Sequence, residues 1–435
     1  MRNRAGSSTI ILAMVFVTLS SCIISAITLS RELVASSECK SFGRLWAKAV
    51  LSEYDVNLLE DYGIMAYFGN EKEVMDKVNA YIDFSISGKK GVKIGKTSCN
   101  LYAYEINIPE NFKKCIKKAV STEITSKIKD GERRRLRSTV NNDKENQDNT
   151  VINNNIVIDT LPSSGYRNSS VELNKISNNI TKKSGFTEKT IDAALNKYAE
   201  MTFISNFLNS HITQISNKPC IFRNEIEYVI VGSLDDDKNF RKSKNKIFLI
   251  RNALNIFAIY KDPKKVEVIN SLAAVITPGP EAALTQALIA EVWAAYESET
   301  DIKALLRGER VPLLKTSNQW HTDIQSILND KKIKDELGKS AKKYSDDERM
   351  SKIKELNKKI SVIDDYKDGI TYEEYLYLMI MFMNEDVRVT RLMDIVQMNM
   401  KHRYYRDFNL AEYFMGVRFS LNINGKSYEF DEEYK

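Results

Sequence analysis

The sequence predicts a mainly helical α+β protein. It has an N-terminal transmembrane helix continuing as an amphipathic stem, then a helix-rich extracytoplasmic domain with short antiparallel strands and a C-terminal hairpin. Three observations carry this expectation. No charged residue occurs between Ala5 and Ser30. Apolar residues then recur at three- and four-residue spacing through most of a chain with only 17 Gly and 7 Pro in 435 residues. Near the C-terminus, alternating apolar residues flank Asn424 and Gly425, the pair best suited to a tight hairpin turn.

The uncharged run of 26 residues spans a hydrocarbon core of about 30 Å when helical. Arg2 and Arg4 precede it, so the positive-inside rule puts the N-terminus in the cytoplasm and the bulk of a single-pass chain outside. A cleavable secretory leader is the alternative, with Ser25 and Ala26 offering small residues near its end. Beyond the anchor, helical spacing continues from Leu33 to Tyr62, and Gly63 is the expected stop. Phe42, Leu45, Trp46, Ala49, Tyr54 and Leu58 form the stripe available to partner helices, or to the chain's own domain.

Asn100 to Ile108 alternates and reads as a strand. Residues 113–137 hold ten basic side chains against three acidic ones, including Arg133, Arg134, Arg135 and Arg137; this is a solvated face, or a contact for anionic headgroups or wall polymer. Eleven asparagines between Ser138 and Lys182 mark a flexible insertion, with Asn168 in a glycosylation triplet. Asn224 to Val231 reads as a second strand, and Asp235, Asp236 and Asp237 suit a helix start. Asp262 with Pro263, and Gly279 with Pro280, each announce a further helix. Residues 330–367 read as a charged, solvent-facing helix or hairpin; Thr371 with Glu374 forms a capping box, with Ile370 stapling Tyr375, and a helix follows from Val387 to His402. The chain thus divides into an anchor (1–30), a stem helix with a small α+β region (31–137), the Asn-rich insertion (138–182) and a helical domain ending in the hairpin (183–435).

Motifs for chemistry are sparse. A net charge of +6 on this length does not point to nucleic acid. Three separated histidines, His211, His321 and His402, lack the paired spacing of zinc or general-base designs, so no metal, cofactor or catalytic residue is expected. Asp235, Asp237 and Asn239 have calcium-loop spacing, but Phe240 stands where the turn needs Gly. Among five cysteines, Cys99 with Cys115 is the one plausible bridge. Paired carboxylates for glycoside hydrolysis stay open, because their separation is invisible in sequence.

Several blocks carry a family resemblance. They are Gly6 to Thr9 with the apolar helix; Ser52 to Asp55 and Leu58 to Gly63; Glu225 to Gly232; Val311 to Thr316 before Trp320; and Gly369 to Leu376 with Arg391 to Asp394. Together they resemble an uncharacterised domain family of anaerobic Gram-positive bacteria, membrane-anchored, whose N-termini are similar to pilin-like proteins of tight-adherence (Tad) pilus systems. Pilin-like chains carry Glu five positions beyond the cleavage Gly, whereas Ile11 stands there, which favours a stable anchor over processing. The resemblance implies a non-enzymatic structural or assembly component, with membrane and pilin-like or secretion-apparatus proteins as partners. A surface binding protein or adhesin, and an anchored carboxylate-based envelope hydrolase, are the alternatives.

Overall fold

A computed structural model describes residues 5–86, 94–130, 161–166, 169, 188–215, 218–339, 346–360, 362–363, 366 and 368–434. It is mainly helical with a few short antiparallel strands, as expected. The chain forms two compact units, residues 1–119 with 409–435, and residues 120–408.

The first unit begins with helix α1 (Ala5–Leu51), 47 residues long. Its first half is bare: Ile10, Leu12, Phe16 and Ile24 are all more than half exposed. It is long and apolar enough to cross a membrane. Burial starts at Cys39 and continues through Trp46, Ala47 and Val50, where the helix packs on its own unit. Trp46 Nε1 donates to Ser85 Oγ at 3.1 Å. Phe430 lies so close to Gly43 that a Cβ there would fall 2.1 Å from its ring, which only glycine avoids.

The stem is not one continuous helix to Tyr62, as the spacing suggested. It breaks after Leu51, and α2 (Val56–Tyr62) starts afresh because Asp55 accepts the amide of Leu58 as an N-cap. Gly63, at φ 67°, closes α2 in the left-handed conformation. Strand β1 (Tyr67–Phe68), α3 (Glu71–Ile86) and β2 (Ile94–Asn100) follow. The strand expected over Asn100–Ile108 therefore lies upstream, and Tyr102–Tyr104 is a 3-10 turn. Asn111, near the start of α4 (Pro109–Asp130), stabilises that turn by donating to the carbonyls of Ala103 and Glu105.

The second unit contains α5 (Glu188–Phe207), α6 (Glu225–Val231), α7 (Asp236–Lys261), α8 (Pro263–Ile276) and α9 (Ala282–Leu306). They are followed by α10 (Ile324–Leu328), α11 (Lys331–Lys339), α12 (Asp346–Asn357), α13 (Tyr372–Met381) and α14 (Glu385–Arg403). Helix α9 packs along α7 and α8. Their core gathers Trp293, Trp320, Leu272, Ile289 and Ile324, together with Ile333, Ile353 and Leu356 of the charged stretch expected to face solvent. Every residue from Val387 to Met400 of α14 is buried.

Helix α6 occupies the expected strand at 224–231. Glu225 to Ile230 are all buried, so alternation there could not mark a single inward face. Asp262 caps α8 as predicted; α7 starts where Asp235–Asp237 announced a helix, with Asp235 as its N-cap, and Asn239 bonds Ser233 with both side-chain atoms, which makes 235–239 a helix start. Gly279 and Pro280 stand three and two residues before α9 and do not repeat that device; Glu281 is its N-cap without a side-chain bond. The Thr371–Glu374 capping box is present in full.

The C-terminal hairpin belongs to the first unit, not to the helical region preceding it in sequence. After β3 (Tyr413–Phe414), which pairs with β1, strands β4 (Gly416–Ile423) and β5 (Lys426–Glu433) join β2 in the antiparallel order β2-β4-β5. Asn424 and Gly425, at φ 52° and 82°, make the turn the sequence announced. Of the expected flexible insertion, residues 161–166 and 169 are described, with Leu161 and Ser163 buried in the second unit and Ser164–Tyr166 a 3-10 turn; the rest of it, Asn168 included, lies outside the described residues, as do Arg133–Arg137 before it.

Candidate functional site

The stem stripe is divided by the fold. Trp46 and Leu58 are buried in the first unit, Phe42 and Ala49 are half-buried, and Leu45 and Tyr54 face outward. Cys99 and Cys115 are both free thiols, so the proposed bridge does not form. Burial raises each of their pKa values to about 12.

The densest polar constellation lies inside the second unit. Helix α9 presents Glu297 and Asp301, one turn apart, and α7 presents Arg251 and Asn255 with the same spacing. An isolated bridge between Val311 and Ile370 holds the segment after α9, which brings Lys315 inward. Arg251 Nε donates to Asp301 Oδ2 at 2.9 Å, with Nη2 paired to the same oxygen at 2.8 Å and donating to Asn255 Oδ1 at 3.0 Å, and Nη1 donates to the Pro312 carbonyl at 2.8 Å. Lys315 Nζ bonds Asp301 Oδ1 at 2.6 Å and also Glu297 Oε1. Glu297 accepts the backbone amides of His321 and Thr322 at 3.0 and 2.9 Å, and the Thr322 hydroxyl at 2.6 Å. The Tyr366 hydroxyl donates to Asp301 Oδ1 at 2.6 Å and stands 2.7 Å from His321 Nδ1.

The side chains of Arg251, Glu297, Asp301 and Lys315 have no solvent exposure. Burial alone would raise the two carboxyls. For Glu297 it is outweighed by bonds from His321, Lys315 and Thr322 together with the Lys315 charge; for Asp301, by the charges of Arg251 and Lys315. Both are held below the usual carboxylate range, and the quartet is two cations with two anions. Donor atoms of Glu297, Asp301 and His321 lie within 4.8 Å of one another, a spacing that could hold a metal ion. Here the Lys315 ammonium bonds both carboxylates and supplies the positive charge itself.

Beside the network, Trp293 and Trp320 meet edge to face at 5.7 Å, and Lys265 Nζ sits 4.4 and 4.2 Å from their ring centres. Burial lowers the Lys265 pKa to about 8, with Lys315 adding to the effect against Asp262 and Glu297. A second group of carboxylates has the opposite character. Burial raises Glu225 and Glu227 to about 7 and Asp394 to about 6. Their partners are chiefly neutral: Asn209 and Asn399 for Glu225, the His211 amide and Tyr372 for Glu227, Tyr228 and Ser163 for Asp394.

Sequence reasoning missed this network. Its visible signals were two carboxylates four residues apart in an Ala-rich helix and a lysine inside the Val311–Trp320 block. His321 joins it through its backbone and ring although no histidine pairing pointed there.

Fold and site together define a mainly helical α+β protein with an apolar N-terminal helix and a domain built around a buried, internally compensated charge network. The chain belongs to the family of unknown function DUF5702, which matches residues 117–425. No curated protein and no solved structure matches it.

Proposed function

We propose that this chain is a non-enzymatic, single-pass membrane protein that holds its folded units outside the cytoplasm as a structural or assembly component of a Tad-like pilus or secretion apparatus. One observation carries the reading: α1 is a single helix whose first half exposes apolar side chains along its length while its second half is built into a folded unit. Such a helix couples a bilayer rigidly to the unit beyond it, which suits a part that positions other parts. The outward-facing Leu45 and Tyr54 are the stem positions offered to partner helices. The non-enzymatic reading is supported by the main network, whose carboxylates are closed off and neutralised from within.

The test is made in the native host, on the wild type and a Gly6→Leu variant, by intact mass and membrane partition, with a photo-crosslinker at Leu45 or Tyr54. A full-length species retained in membranes and crosslinked to a pilin-like protein is the expected result. Release into the medium after loss of roughly 25 to 30 residues, the length of a secretory leader, would overturn the anchor. Crosslinks to envelope polymer alone would favour the binding-protein reading instead.

A further inference from the structure

We propose that the second unit binds a phosphate monoester or free hydrogen phosphate in the small pocket lined by Asp262, Lys264, Lys265, Ser317, Asn318 and Lys359. The pocket opens where α8 begins, and Val268 and Ile360 complete its wall.

Two independent features ask for a ligand. Lys265 is only 4% exposed, lines the pocket, and makes no hydrogen bond or ion pair among the described residues. Its ammonium is held by the faces of Trp293 and Trp320, which attract a cation but satisfy none of its three N–H donors. Asp262 Oδ1 accepts the Lys264 amide, whereas Oδ2 is buried without a partner. A buried cation lacking an acceptor and a buried carboxylate oxygen lacking a donor share one small pocket, and each is costly to leave unmet.

A ligand answering both must bring anionic oxygens for Lys265 and an O–H for Asp262. Hydrogen phosphate and protonated phosphate monoesters have both. Sulfate and acetate are acceptors only and would meet Asp262 with repulsion. Lys264 and Lys359 add positive charge at the rim, Lys359 sharing its ammonium with Glu267 at 3.2 Å, and Ser317 and Asn318 supply neutral donors. Burial lowers the basicity of Lys265 even with the Asp262 and Glu297 charges nearby, and a bound anion would raise it again.

The pocket contains its own reporter, because two of the three tryptophans in the chain form the cage. The full-length protein in uncharged detergent micelles is titrated near pH 7 with inorganic phosphate, glycerol 3-phosphate, sulfate and acetate at matched ionic strength, following tryptophan emission. Saturable change is expected with at least one of the two phosphates, on the order of 1 mM or tighter, and about tenfold weaker or absent with sulfate and acetate. Glycerol 3-phosphate alone assigns a monoester; inorganic phosphate alone assigns the free ion. Lys265→Met should abolish the response. Lys359→Ala, at an exposed position, should weaken it about threefold without changing the melting temperature. Asp262→Asn keeps the helix cap and should narrow the preference for phosphate over sulfate. Absence of saturation with both phosphates overturns the proposal, as does equal binding of sulfate or a response unchanged in Lys359→Ala and Asp262→Asn.

Discussion

Removing the Lys315 ammonium is the sharpest probe of the second unit. Its nitrogen joins Glu297 and Asp301, and none of the three side chains touches solvent. In Lys315→Met the quartet changes from neutral to one net negative charge, with Arg251 still committed to Asp301. Breaking a buried ion pair on one side costs about 3–5 kcal/mol, because the remaining charge is left in a medium that solvates it poorly. For a unit spanning residues 120–408 that lowers the melting temperature by roughly 5–8 °C. The double variant Lys315→Met/Glu297→Gln removes both charges and leaves one amide oxygen, at the Oε2 position, within reach of the His321 and Thr322 amides. It should recover part of the loss, with a coupling energy above about 1 kcal/mol. Heat and urea melts of the full chain in micelles, read by tryptophan emission, follow the right region because Trp320 lies 5.3 Å from Lys315. A single variant within about 1 kcal/mol of wild type, or a double variant showing the plain sum of the two singles, would refute the network as the unit's electrostatic keystone.

Glu227 makes the complementary prediction. Its folded pKa of about 7 exceeds the ordinary 4.5, so its protonated form contributes stability that is full below pH 4.5 and lost as pH rises through 7. Glu227→Gln should therefore melt like wild type near pH 4.5 and gain about 3 kcal/mol at pH 8; an equal difference at both values would contradict the assignment. On the acid side, Glu297 and Asp301 have depressed pKa values, so their stabilisation is present above the ordinary range and fades as pH falls through the folded values, which Glu297→Gln should flatten in a pH series of melts. In the first unit, Gly43→Val drives a side chain into Phe430 and should cost about 1–3 kcal/mol, measured by urea denaturation and partly relieved by Phe430→Ala. Asp55→Ala removes the cap of α2 and should cost about 1 kcal/mol, visible as faster amide exchange at Leu58 and Leu59.

The sequence alone determined what depends on neighbours along the chain. The apolar helix, the helix start at Asp235–Asp237, the Asp262 cap, the Thr371–Glu374 box and the Asn424–Gly425 turn are satisfied within one or two turns of backbone, so their residues announce them. The strand readings at 100–108 and 224–231 failed for a common reason: alternation signals a strand only where one face is buried. Around Leu101, Tyr104 and Ile106, buried side chains fit a turn equally well, and Glu225–Ile230 is buried on all sides. Only tertiary structure decided that the hairpin pairs with β2, more than 300 residues earlier, and that Glu297, Asp301, Arg251, Lys315 and Tyr366 share one interior. Charge compensation acts through space across 14 to 50 positions of chain, and carboxylates on a helix look alike in sequence whether water or a lysine neutralises them.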